Sequence, residues 1–401
     1  MSLDHLFAAP PAIIVLPMAI PAALAGEVEK ASVYFSPDLD HLRVAADLGS
    51  VTLAPRPGAN IELLSGKVER AIAAMIAAAR DIPTKVHFER KREKPLSRSV
   101  DAELIRRGWV FEHGQGQASL FGPPLRLLQL LDRRFAALYH AEFAAVDRMY
   151  PAMVSPTLLQ RVGYFSSHPN AASFVCHLVE DFDELEQFRR ANGEHYSAPQ
   201  PGAMAPPHRC LNPAACFPCY ESLADRRLET EGMALTWMGR VFRYESKNMT
   251  GLERLWEFNV RELVFIGSEG FTLDARKQAM HLVAELAEEW NLDCRIESAT
   301  DAFFPTVYGP QSFWQRVKDV KYEIRLAIEP GANGEARSLA AGSINLHGPF
   351  FGERFAIRLP NGDCASTACV GWGLERWVLA LFTQHGFTPS DWPESLREIF
   401  G

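Results

Sequence analysis

FRYESKNMTGLERLWEF, residues 242–258, sets Arg243 and Glu245 two apart, inserts a short polar stretch with one glycine, and then sets Arg254 and Phe258 four apart. TWMGRVFRYE (236–245) has the pattern of a strand, KNMTG (247–251) of a turn, and RLWEFNVRELVFIG (254–267) of the returning strand. Side chains alternate across a strand, so Arg243 and Glu245 share one face, as do Arg254, Phe258 and Glu262. Burying two guanidiniums and two carboxylates with no partner is costly, which implies a charged ligand. Arginine's planar fork suits a phosphate, and a ring beside it can stack on a nucleobase. An exposed hairpin laced by cross-strand ion pairs explains this stretch equally well.

A second element lies near the C-terminus. CVGWGLERWVLALF, residues 369–382, places Gly371 and Gly373 where a strand gives way to an apolar helix that Glu375 and Arg376 open. Taken together, FRxE, a loop, RxxxF and a later GxGxER resemble motifs 2 and 3 of the class II aminoacyl-tRNA synthetases. DRMYPAMVSPTLLQRVGYF (147–165) reads as an extended segment punctuated by Pro151 and Pro156, and its first part resembles motif 1, the dimer element. The resemblance covers about residues 124–401 and implies an α+β fold, an antiparallel sheet flanked by helices. It also implies that Arg243 holds the ATP α-phosphate, Glu245 the adenine amino group and Arg254 the γ-phosphate, with adenine between Phe258 and Arg376.

The cysteines narrow the resemblance. LNPAACFPCYES (211–222) carries Cys216, RELVF carries Glu262, and TACVGWG carries Cys369. Three protein ligands with an open fourth position is how a working zinc site is built. The pattern resembles the zinc-dependent methanogenic-type seryl-tRNA synthetases and, more closely, their truncated homologues, the amino acid:[carrier protein] ligases. In both, zinc takes the substrate's α-amino group. HGPFFGERFAIRL (347–359) and DAFFPTVYGPQSFWQRVKDVKYEIRL (301–326) also resemble the ligases. A single buried cysteine is more often a small apolar filler than a ligand. Cys210, Cys216, Cys219 and His208 would alternatively make a structural zinc knuckle, and Cys219 and Cys364 are the nearest substitutes within the trio. The family's acidic Mg²⁺ ligand should precede Ser343-Ile344-Asn345, yet SLAAG contains no carboxylate, leaving Glu335 or Glu323.

The resemblance implies that glycine or alanine is activated with ATP and passed to the phosphopantetheine thiol of an acidic carrier protein. Charge supports that acceptor. Residues 1–122 hold 14 basic and 14 acidic residues and the remainder 27 and 35, for a net −8, whereas holding tRNA calls for a basic accessory domain or a long arm. LRLLQLLDRRFAALYHAEFAAVD (125–147) is one amphipathic helix, too short for an arm, and WQRVKDVKYEIR (314–325) has the character of a docking or ordinary surface helix. No tRNA partner is therefore expected. Competing readings are a methanogenic-type seryl-tRNA synthetase with residues 1–122 as its tRNA-binding domain, and a non-catalytic regulatory paralogue, which the missing Mg²⁺ carboxylate favours.

Ahead of this region, residues 1–122 form a compositional block of their own. AIIVL, ASVYF, LRVAADL, SVTLA and TKVHF read as strands around the helix ELLSGKVERAIAAMIAAAR, a small N-terminal α/β domain. GQGQASLFGPP (114–124) reads as the linker to a catalytic domain, 123–401. KVHFERKREKPLSRS carries six basic and two acidic residues, a solvated loop or a docking patch for an acidic partner. With 47% hydrophobic and 22% charged residues, the 401-residue chain has ordinary soluble composition. Its seven scattered cysteines point to reduced thiols and a cytoplasmic setting. The apolar opening PPAIIVLPMAIPAALAG follows Asp4 and is broken by prolines, so it reads as a strand with buried flanks, with no membrane role. A homodimer is expected from the resemblance.

Overall fold

Val51 and Leu53 alternate with Ser50, Thr52 and Ala54, the period of a strand with one face buried, and the computed structural model places them in β3 (Ser50–Pro55). The structure describes residues 10–78, 84–98, 100–193, 195–299, 319–330 and 336–401. β3 pairs antiparallel with both β1 (Ala12–Val15) and β2 (Leu39–Val44). Helix Ile61–Ala78 lays Leu64, Val68 and Ile72, at four-residue spacing, onto the same small core. ASVYF, expected as a strand, is helical instead. Helix Ala25–Ala31 runs on into a 3₁₀ turn at Ser32–Tyr34, with Ser32 Oγ bonded to the Glu29 carbonyl. The turn packs beside β2 without joining its sheet.

β4 (Val86–Arg90), formed by TKVHFER, leaves this unit and pairs with β13 of the large sheet. The large sheet thus begins with β4, ahead of residue 122, where composition suggests a boundary. The segment expected as a linker, 114–124, is mostly a hairpin, β5 (Val110–Gly114) with β6 (Gln117–Leu120). Its turn needs Gly116, at φ +77°, whose carbonyl accepts from Trp256 N. After β7 (Val146–Asp147) and β8 (Met153–Val154), Pro156 starts helix Pro156–Arg161, with Ser155 as N-cap. That segment is therefore only partly extended. β9 (Phe174–Val175) and β10 (Arg209–Leu211) complete a small sheet with β8.

The remaining strands are β11 (Gly232–Phe242), β12 (Glu257–Gly267), β13 (Cys294–Ser298), β14 (Lys321–Glu329), β15 (Arg337–Gly348) and β16 (Ser366–Gly373). They form an eight-stranded sheet, order β4-β13-β14-β15-β16-β12-β11-β7, antiparallel except where β7 meets β11. One face is apolar. Leu263, Phe265, Ile324, Ile344 and Trp372 point into a core closed by helices Gly122–Phe143, Glu269–Glu289 and Leu374–His385. Arg261 also points there and forms an ion pair with Asp132, Nη2 to Oδ1 2.6 Å. The opposite face is polar at its middle, because partners in register share a face: Glu323 with Ser343, Ser343 with Gly371, and Gly371 with Glu262. DAFFPTVYGPQSFWQRV lies wholly outside the described residues, and the Lys321–Arg325 part of WQRVKDVKYEIR is strand rather than helix. Among the described residues no helix is long and apolar enough to cross a membrane.

Candidate metal centre and nucleotide cleft

Glu262 sits at the centre of β12, and Cys369 two residues before its cross-strand partner Gly371, so both side chains rise from the polar face. Cys216 arrives from the other side, at the N-cap of helix Phe217–Ser222, where Pro218 starts the turn. The two sulfurs and a Glu262 carboxylate oxygen all lie within 4.8 Å of one another, in the only such group of potential metal ligands among the described residues. Cys216, Glu262 and Cys369 are 7%, 5% and 5% exposed, too buried for three acids to ionise without compensating charge. Burial, reinforced by the Cys369 charge and a hydrogen bond to Cys369, pushes Glu262 well above the usual carboxylate range, with only Arg243 acting against it. The Cys216 contact and burial drive Cys369 well up.

This donor set fits zinc. Two thiolates and a carboxylate offer soft and hard atoms at tetrahedral count, with a fourth position left for a ligand. A divalent cation would replace the protons that burial otherwise forces on these groups. Gly371 leaves room for the carboxylate, since a Cβ there would stand 3.0 Å from Glu262 Oε2, tighter than ordinary contact. Cys210 and Cys219 are buried outside the trio, while His208 packs edge-on to His177 at 5.2 Å, so the cysteine-knuckle arrangement does not form.

Two neighbours of the trio were not singled out as site residues on sequence. Asn345 Nδ2 approaches Cys369 Sγ at 3.5 Å, and His347 Nε2 approaches the same sulfur at 3.7 Å. They belong to one strand, two residues apart and on one face, so the period-two pattern in SINLH was the available signal. Such outer contacts orient a metal-bound sulfur.

The nucleotide residues gather where the β11–β12 hairpin meets the last helix. Arg243 and Glu245 stand just past the end of β11, and Arg254 just before β12, so the strands are shorter than the sequence suggested. Arg243 Nε donates to the Pro213 carbonyl at 2.9 Å, and its guanidinium lies 5.7 Å from the Phe258 ring centre. Arg254 pairs with Glu245 at 2.5 Å. Arg376 donates to the carbonyls of Glu253 and Ala340 at 2.8 and 2.9 Å and feels the charges of Glu245, Arg254 and Arg243. Phe258, Gly373 and Arg376 line one narrow cleft. Of the two guesses for a Mg²⁺ carboxylate, Glu335 lies outside the described residues, and Glu323 is bonded to Arg325 at 2.8 Å. Among the described residues, neither guess therefore offers a free carboxylate.

Glu375 fixes the helix to the hairpin by accepting from Asn259 N at 2.9 Å and Asn259 Nδ2 at 2.7 Å. Burial raises its pKa to about 7. The folded protein thus holds a proton that the unfolded chain has released above the ordinary glutamate value of 4.5, and stability falls as pH rises from there to about 7. In metal-loaded protein, Glu375→Gln is expected to flatten that slope by up to about 3 kcal/mol, measured by denaturant titration across the window.

No protein-family model matches the chain. Its curated relatives include amino acid–[acyl-carrier-protein] ligase 1 of Bradyrhizobium diazoefficiens, 30% identical over 280 residues, 69% of this chain and 83% of that protein. Ligase 2 of the same organism is 28% identical over 293 residues, covering 72% and 85%. The type-2 serine–tRNA ligase of Methanopyrus kandleri is 27% identical over 320 residues, where this chain spans 61% of its length. Among solved structures, M. kandleri SerRS in complex with A. aeolicus tRNASec superposes with TM-score 0.69 at 22% identity, over 97% of this chain and 77% of that one. Prolyl-tRNA synthetase of Cryptosporidium parvum gives 0.52 at 12% identity, over 72% and 51%. A large antiparallel sheet backed by helices is thus the fold of class II aminoacyl-tRNA synthetases, and the chain is a ligase of the amino acid–[acyl-carrier-protein] ligase family.

Proposed function

We propose that this protein activates a small amino acid, glycine or alanine, as its adenylate and passes it to the phosphopantetheine thiol of an acidic carrier protein. The observation that carries the reading is the double duty of Arg243. Its charge acts on Glu262 of the metal trio, while its guanidinium lies against Phe258 of the cleft. An amino acid held by its amine at the trio would therefore present its carboxylate where Arg243 meets the α-phosphate.

Zinc held by Cys216, Glu262 and Cys369 supplies one thing, a position for the neutral amine, and a hydroxy acid has no such group to offer. The substrate carboxylate is its own nucleophile. It attacks the α-phosphorus of ATP in line and pyrophosphate leaves, with no side-chain base. Arg243 offsets charge at the α-phosphoryl, Arg254 releases Glu245 to meet the γ-phosphate, and adenine lies between Phe258 and Arg376 with its amino group on Glu245. Trp237 lies opposite Glu262, and Asn345 and His347 crowd Cys369, which supports a substrate with a small side chain.

The names of the Bradyrhizobium relatives support a carrier-protein acceptor, and the net charge of −8 disfavours a polyanionic tRNA. Both helices of more than twenty residues pack on the sheet, and neither projects as an arm. A serine–tRNA ligase is the second reading, favoured by the type-2 relatives. Dimerisation is part of the proposal: Val146, Met149, Met153 and Met238 expose apolar surface around the β7 edge. ATP–pyrophosphate exchange tests the activation step. Exchange driven by glycine or alanine over serine is expected, serine alone would favour the second reading, and no exchange would favour a regulatory paralogue.

A further inference from the structure

The loop between Arg243 and Arg254 has little structure of its own to hold it. It contains a single 3₁₀ turn, Ser246–Asn248, and a Thr250–Arg254 bridge, and Ser246 adopts φ +51°, a strained conformation for a residue with a side chain. Support comes from elsewhere. Lys247 Nζ donates to the Leu39 carbonyl at 3.1 Å, the Asp40 carbonyl at 3.0 Å and Asp40 Oδ1 at 2.7 Å. Asn248 Nδ2 donates to the Lys30 carbonyl at 3.0 Å, and Tyr34 Oη donates to the Tyr244 carbonyl at 3.2 Å. These bonds tie residues 10–78, which have their own core, to the two residues after Glu245's neighbour and the one before it. The Tyr34 phenol also lies within electrostatic reach of Glu245 and Arg254.

We propose that the N-terminal domain is a positioning module for the nucleotide site, in which Tyr34, Asp40 and the carbonyls of Lys30 and Leu39 hold residues 244–248 and so keep Glu245 in place for adenine. The proposal rests on the adenylation reading above and gives residues 10–78 a part in it. The physical argument is preorganisation. A ten-residue excursion that had to order around each incoming ATP would lose conformational entropy at that moment, and docking the loop in advance removes that cost. Three acceptors on one ammonium fix Lys247 more firmly than an isolated surface ion pair, which alone contributes little. Because the loop is held before and throughout the reaction, its support serves ground state and transition state alike. That predicts an effect on KM for ATP with kcat unmoved.

The test is steady-state ATP–pyrophosphate exchange with the full chain, varying ATP and amino acid separately, on wild type, Lys247→Ala, Lys247→Arg and Tyr34→Phe. Lys247→Ala should raise KM for ATP about five- to tenfold, and Tyr34→Phe about two- to threefold, at unchanged kcat and unchanged KM for the amino acid. Lys247→Arg, which can still donate to the same acceptors, should restore most of the loss. An unchanged KM for ATP in Lys247→Ala, beside a wild type that exchanges, overturns this inference alone. So does a parallel loss in kcat and in KM for the amino acid, which would mark general structural damage. A wild type without exchange overturns the underlying reading and this inference with it.

Discussion

Cys369→Ala is expected to abolish amino-acid activation by emptying the metal trio, while the sheet stays folded. Cys369 is one of three buried potential ligands within 4.8 Å of one another. Zinc in such protein sites gains about 10–16 kcal/mol, so losing one of three ligands removes roughly 4 kcal/mol, about 10³-fold in affinity. Metal analysis after dialysis should show about one zinc per wild-type chain and none in the variant, with exchange activity lost in parallel. The pH dependence has a definite sign. Without metal, the folded state keeps Glu262 protonated well above its ordinary range, so it holds a proton that the unfolded chain releases, and metal-free stability falls as pH rises above the usual carboxylate pKa. Zinc needs the deprotonated ligands, so its stabilisation grows over the same rise. Melting temperatures of zinc-loaded and zinc-free protein should therefore diverge from about pH 5 to pH 8, and parallel curves would argue against metal binding here.

Arg243→Ala should cost about 10² to 10³ in kcat/KM for exchange while leaving zinc content intact, since in the proposed mechanism Arg243 supplies charge at the phosphoryl group and no metal ligand. Arg243→Lys should recover only part. A point charge on a flexible stem cannot reproduce a planar fork already oriented by the Pro213 carbonyl, with the Phe258 ring alongside. The contrast between the two substitution sites separates nucleotide from metal: one variant loses activity with zinc in place, the other loses both.

The sequence carried these residues because they depend on local rules. Period-two alternation puts Glu262 and Cys369 on one face, and the glycines of VGWG mark where the backbone must pass beside Glu262 Oε2 and open a helix. The metal trio could be named because a resemblance supplied the third dimension. Spacing alone does not say that Cys216, 46 residues before Glu262, swings back over the sheet. What stayed illegible depends on partners distant in sequence. VHFER looks like any short strand, and only pairing with β13 reveals that it extends the large sheet. Gln115 and Gly116 look like a linker until the Gly116 carbonyl is seen bonded to Trp256. ASVYF has strand composition, yet the helix Ala25–Ala31 runs into it and carries it into a 3₁₀ turn. Lys247 was read as a turn residue, and nothing nearby in sequence says that its ammonium reaches Leu39 and Asp40.

One labelling experiment distinguishes the two acceptors. Zinc-replete protein, ATP, Mg²⁺ and labelled glycine or alanine are offered a phosphopantetheinylated carrier protein and total tRNA side by side. Label is expected on the carrier, released by a reagent that cleaves thioesters. Label on tRNA, with none on the carrier, would contradict it.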